Sequence, residues 1–152
     1  MATGSIATRA VNWDSVYAIA QQGYATVRPA FERGCYDCHS AQTHYPWYYK
    51  LPLVKSKIDG DIRQARRQVD FTDGFPFKSR GMPADALDAI RDEITSGDMP
   101  PWEYRLFHWD AKPAGAEADS VSAWIERSLA LLAAHGQFPA GKAAAKDSAG
   151  AE

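Results

Sequence analysis

Long hydrophobic runs are missing from this 152-residue chain. Its longest apolar clusters, such as Leu129 to Ala134, fall well short of the roughly 20 residues that a membrane-spanning helix needs, so no transmembrane segment is expected. An excess of charge is missing as well. Seventeen Lys and Arg against nineteen Asp and Glu leave a formal net charge of −2, so no global basic field exists to hold nucleic acid. Cysteine is scarce: the chain has two, only three positions apart, too few for a disulfide scaffold. Chemistry rather than stapling should therefore explain them. No fixed-period repeat is found. The start, Met1-Ala-Thr-Gly-Ser5, lacks the basic opening and apolar run of a secretory signal, so any export signal is expected to have been removed or replaced. What the chain does have is 45% hydrophobic residues, which suits one domain with a sizeable core over residues 1–138. Residues 139–152, an Ala/Gly/Lys mixture, read as a flexible tail.

The apolar spacing is helical. Val16, Ile19, Ala20 and Tyr24 follow Asp14 as a candidate cap, and Pro29 suits the first turn of a second, short helix that carries Phe31 and ends at Gly34. From Leu53 a stripe of Val54, Ile58, Ile62, Ala65 and Val69 shares a helix with Lys55, Lys57, Arg63, Arg66 and Arg67. Phe71 to Gly81 reads as a loop, from its Asp73-Gly74 and Phe75-Pro76 pairs. Pro83 then opens a helix with Leu87, Ile90 and Ile94 inward, stopped by Gly97. Pro100-Pro101 forces an extended segment, and a last helix from about Asp119 to Ala134 turns Val121, Trp124, Ile125, Leu129 and Leu132 to the core. No alternating strand with hairpin punctuation is found, which predicts an all-α fold with long, aromatic-rich connections.

Cys35-Tyr36-Asp37-Cys38-His39 is the most specific signal in the chain, a C-x-x-C-H sequence of the kind that attaches c-type haem. Cysteines three apart on a helical turn point to one side, where each can form a thioether to a porphyrin vinyl group. The adjacent histidine then brings an imidazole nitrogen to the iron. A thioredoxin-type pair would want a βαβ context that is missing here. A zinc site would have to combine Cys35 and Cys38 with His44 and His108, without a second Cys-x-x-Cys.

The sixth iron ligand separates electron carriers from ligand binders and enzymes. Met99, in Gly97-Asp98-Met99-Pro100-Pro101, and Met82, in Gly81-Met82-Pro83, are both candidates, and Met1 is terminal. The two prolines beyond Met99 fix its backbone and favour it. Tyr45, Trp47, Tyr48, Tyr49, Trp102 and Tyr104 bracket both motifs and suit a wall around a porphyrin edge, the bland alternative being ordinary packing. His44 and His108 read first as hydrogen-bonded structural or surface histidines. Basic residues gather between Lys50 and Arg67 and acidic ones between Asp85 and Asp98, which suits either a dipolar docking surface or plain solvated helix faces.

The run Cys35-Tyr-Asp-Cys-His-Ser40, with Thr43 and then Tyr45-Pro-Trp-Tyr-Tyr-Lys-Leu-Pro52, resembles the haem-binding domain of small bacterial periplasmic cytochromes. Gly97-Asp-Met-Pro-Pro-Trp-Glu-Tyr104, His108 and Trp124-Ile125 extend the resemblance over roughly Val27 to Leu132. It implies a cytochrome c-like domain around one covalent haem c on Cys35 and Cys38, with His39 proximal and the Met99 loop distal. Two stretches depart from the family's pattern: Lys57-Ile58-Asp59-Gly60-Asp61 is less apolar than expected, and Phe71 to Met82 reads as an insertion. The function expected is a periplasmic monohaem cytochrome carrying single electrons between redox partner proteins. A gas-sensing haem domain is the alternative, and a peroxidase-type enzyme using His44, His108 or Glu103 comes third. A porphyrin at the centre of the core would leave the apoprotein poorly folded.

Overall fold

The computed structural model describes residues 9–141. Six helices and one short strand pair follow in the order α1 (Trp13–Gly34), α2 (Tyr36–His39), α3 (Pro52–Gln68), β1 (Val69–Asp70), β2 (Lys78–Ser79), α4 (Pro83–Ser96), α5 (Trp102–Phe107) and α6 (Gly115–Ala134). A 3₁₀ turn at Trp47–Lys50 precedes α3. Among these residues no helix is long and apolar enough to cross a membrane. The all-α expectation holds. The expected tail lies outside the described residues from position 142 on, as does the Met1 to Ser5 start.

Asn12, not Asp14, caps α1, its Oδ1 accepting from the Ser15 amide at 3.3 Å, while Asp14 sits in the first turn where a carboxylate suits the helix dipole. The two helices expected here are one. Pro29 lies inside α1, where burial of Val27, Ala30 and Phe31 holds the helix across the missing N–H. Val16, Ala20 and Tyr24 continue the buried stripe, whereas Ile19 is 58% exposed and does not belong to it. Antiparallel to α1 runs α6, with Trp13 against His135 at one end and an Arg33–Glu117 ion pair at the other. Its predicted face, Val121, Trp124, Ile125, Leu129 and Leu132, is buried, and Trp124 Nε1 donates to the Ala20 carbonyl at 3.0 Å.

On the other side of α6 lies α4. Pro83 opens it, Leu87 and Ile90 are buried, and Gly97 at φ +76° closes it in the left-handed region that glycine favours. The segment read as a loop supplies much of the core instead. Val69 pairs with Ser79 and Asp70 with Lys78, antiparallel, and between them Phe71, Phe75 and Phe77 are all buried. Phe77 meets Tyr24, Phe31, Phe71, Phe75 and Trp124 with ring centroids 4.7 to 6.3 Å apart. These aromatic side chains, packed between α1 and α6, occupy the place where a central porphyrin was expected.

Candidate haem site

Cys35 caps the C-terminus of α1 and starts the turn of α2, its amide donating to the Phe31 carbonyl at 2.8 Å and its carbonyl accepting from His39 at 2.9 Å. One helical turn therefore carries both cysteines and the histidine. The thiols are not bridged to each other. Burial pushes the Cys35 thiol up to about 12. Burial, then the nearby charges of Asp37 and Asp61, also raises Cys38. Both stay protonated at neutral pH.

His39 is held by its backbone and by its ring. Its carbonyl accepts from the Phe71 amide at 2.8 Å, and Nδ1 lies 3.0 Å from the Val69 carbonyl. A carbonyl can only accept, so Nδ1 carries the proton and Nε2 keeps its lone pair. Burial lowers the His39 pKa, against the pull of the Val69 and Ala65 carbonyls, and keeps the imidazole neutral. A neutral imidazole anchored at one nitrogen is what a metal needs at the other.

Around this turn two distant segments expose large apolar side chains. One holds Tyr45 (53% exposed), Trp47 (81%), Leu51 and Leu53, the other Met99 (42%), Trp102 (62%), Leu106, Phe107 and Trp109. They meet where Tyr48 lies against Phe107, centroids 5.6 Å apart. Tyr45 lies tilted against Tyr49 with centroids 4.3 Å apart and Trp47 meets Tyr48 edge-on at 5.6 Å, so the wall residues pack on one another rather than enter the core. Beside them Val54 and Ile58 of α3 are only half-buried. A folded domain seldom exposes so much apolar surface to water in one place without a ligand or partner for it. The unbridged thiols, the Nε2 lone pair and this wall together fit a haem.

The two methionines stand at opposite ends of α4. Met82 caps its start, its amide donating to Asp85 Oδ2 at 2.9 Å, next to Ala84, whose amide donates to Gln137 Oε1 at 3.0 Å. Met99 follows the other end, the one whose Pro100 lies 4.0 Å from where a Cβ on Gly34 would sit, beside Cys35. The four zinc candidates do not come together: among the described residues no group of three or more His, Cys, Asp or Glu is arranged to hold a metal ion. His44 instead pairs with Asp37 at 3.2 Å, and His108 stacks on Tyr104 at 4.0 Å. Sequence reasoning missed Asp37, which accepts from the Tyr104 hydroxyl at 2.6 Å, and the Val69 carbonyl. It also missed Leu51, Leu53, Leu106, Phe107 and Trp109 in the wall, since an exposed apolar residue has no sequence mark of its own.

The chain is similar to cytochrome c peroxidase Ccp of Escherichia coli (strain K12), 27% identical over 101 residues, or 65% of this chain and 22% of that protein. It thus spans about a fifth of the length of the curated relative it matches. No solved structure matches. A model of the haem-binding domain matches residues 6–127, from before α1 into α6 and across the whole site, and with the anchored histidine and paired thiols on the page the chain belongs to that family of haem proteins.

Proposed function

We propose that this domain is a periplasmic monohaem c-type cytochrome that passes single electrons between redox partner proteins. Cys35 and Cys38 would hold the haem by thioethers, with His39 Nε2 and the Met99 thioether sulfur as axial ligands. The bound group supplies one-electron Fe(III)/Fe(II) chemistry. The observation that carries the reading is the His39 Nδ1 to Val69 carbonyl bond beside two unbridged thiols. It fixes the tautomer that leaves Nε2 for iron. Met99 is favoured over Met82 because its end of α4 abuts Gly34 and so the cysteine turn. The exposed aromatic wall would exclude water from an apolar ring and, by disfavouring the extra charge of Fe(III), would raise the potential in the same direction as a thioether ligand.

The test uses protein exported together with the haem-attachment machinery. Colour should stay with the polypeptide through acidified organic extraction, and ferric protein should show the weak near-infrared band of thioether ligation. Met99→Ala should abolish that band and let CO bind the reduced iron, while Met82→Ala should change little. Colour lost to the solvent overturns the thioether assignment. A wild type that lacks the band and binds CO freely overturns the carrier reading.

A second reading rests on the likeness to a fifth of a cytochrome c peroxidase. In it the domain serves peroxide reduction, either by delivering electrons or by reacting directly. Peroxide consumption by the reduced holoprotein that falls in His44→Ala or His108→Ala would favour direct reaction, because those are the acid–base groups beside the motif.

A further inference from the structure

Asp37 is the second variable residue of the cysteine motif, a position where thioether attachment asks nothing of the side chain. Here its carboxylate is only 15% exposed and joins three chain segments. Oδ2 accepts from the Tyr104 hydroxyl at 2.6 Å. Oδ1 accepts from the His44 amide at 2.9 Å, and the Asp37 carbonyl accepts from Thr43 Oγ1 at 2.8 Å. Tyr104 belongs to α5, five residues past Met99, with its ring stacked on His108.

The segment from Pro100 to Ala111 is pinned at both ends to the end of α1. Pro100 and Ala111 both lie against Gly34, and the Asp110 carbonyl accepts from Arg33 Nε at 2.8 Å. Between those pins Trp102, Leu106, Phe107 and Trp109 are exposed. What ties the middle of the segment to the motif helix is the Tyr104 hydroxyl on Asp37. The bond is short and its acceptor carries charge, a combination that makes it stronger than a neutral pair. Burial, and then this bond, raise the Tyr104 pKa, so the phenol keeps its proton to donate.

We propose that Asp37 and Tyr104 form a positioning latch that holds α5, and with it the Met99 loop, against the haem-attachment helix. By doing so the latch sets how readily an outside ligand gains the sixth iron position. The sixth-position half rests on the His39/Met99 reading given above, and the latch itself rests on the hydrogen bond alone.

Tyr104→Phe removes the hydroxyl and keeps the ring on His108, while Asp37→Asn keeps one acceptor oxygen but gives up the charge. Two quantities are measured on the holoprotein: hydrogen exchange of the amides of residues 102–107, and the rate of CO association with reduced iron. Tyr104→Phe should speed both by roughly tenfold, the shift expected for losing a hydrogen bond to a charged group. Amides in α1 and α6 should hold, and Asp37→Asn, which loses the charge, should fall between wild type and Tyr104→Phe. Unchanged exchange at 102–107 overturns the latch, and faster exchange with unchanged CO association overturns its control of the sixth position. Should wild type lack the thioether band while Tyr104→Phe still loosens 102–107, the Met99 ligand fails and the latch stands.

Discussion

Val69 reads in the sequence only as the end of an apolar helical stripe, yet it lies in strand β1 and its carbonyl fixes the His39 tautomer, so whatever holds β1 in place also holds the imidazole. Asp70 does much of that holding. Its Oδ1 accepts from the Thr72 amide at 2.9 Å and from the Thr72 hydroxyl, and its Oδ2 accepts from Arg66 Nε at 2.9 Å. Burial alone would raise the Asp70 pKa, but the Thr72 and Arg66 bonds more than offset it and hold the carboxyl below the ordinary aspartate value. A depressed folded pKa contributes stability that is present above the unfolded value of about 3.9 and is lost as pH falls through the folded one. Asp70→Asn should therefore cost about 1–2 kcal/mol at pH 7, with a gap to wild type that narrows below about pH 4. Urea melts at the two pH values check this, and an equal gap at both would show that charge is not the reason. The proposed attachment residues Cys35, Cys38 and His39 could be named from the sequence because the motif is five adjacent letters. The Val69 carbonyl was not, because a backbone acceptor has no letter, and Asp37 was hidden because its partner lies 67 residues away.

Among the elements, α4 was legible to both ends and α6 to its C-terminal end, since Pro83, Gly97 and the Val121 to Leu132 spacing are local signals, but α6 begins at Gly115, a turn before the expected Asp119. At α1 a local signal misled. Proline opens helices more often than it sits inside them, but tertiary burial on both sides of Pro29 outweighs one missing backbone bond. Pro29 is itself exposed, so replacing it loses no core contact. Pro29→Ala should restore an N–H to the helix ladder and stabilise the protein by about 1–3 kcal/mol in a thermal melt. A loss of stability would show instead that the turn into Cys35 depends on the bend. Helix α3 is the reverse case, with a legible apolar stripe of which Ile62 alone is buried. Of its five basic residues, Lys55 pairs with Asp59 at 3.2 Å and Lys57 with Asp61 at 2.7 Å within the helix, and Arg66 pairs with Asp70 just beyond it. That leaves the solvated-face reading stronger than the dipolar docking surface.

At the scale of the whole molecule the periodicity told which faces are apolar but not which faces meet, and that gap produced the expectation of a core built on porphyrin. Tyr24, Phe31, Phe71, Phe75, Phe77 and Trp124 instead close the space between α1, α4 and α6 directly on one another. The Cys35–His39 turn packs against that core through Cys35, and the exposed apolar side chains of the candidate haem wall lie within residues 45–53 and 99–109. On the proposed reading stability and haem binding are divided between two parts of one domain, and linkage between them should be partial. A Cys35→Ala/Cys38→Ala/His39→Ala variant should keep the far-ultraviolet helix signal of α1, α4 and α6 and still unfold cooperatively. The helix signal it loses should be confined to the contributions of α2, α3 and α5, and protease cuts should fall first between residues 42 and 66 or between 98 and 111. Those segments are the ones whose apolar side chains the haem would cover. Loss of most of the helix signal, with a broad and uncooperative melt, would mean that the aromatic core cannot stand without the haem and would restore the expectation drawn from the sequence.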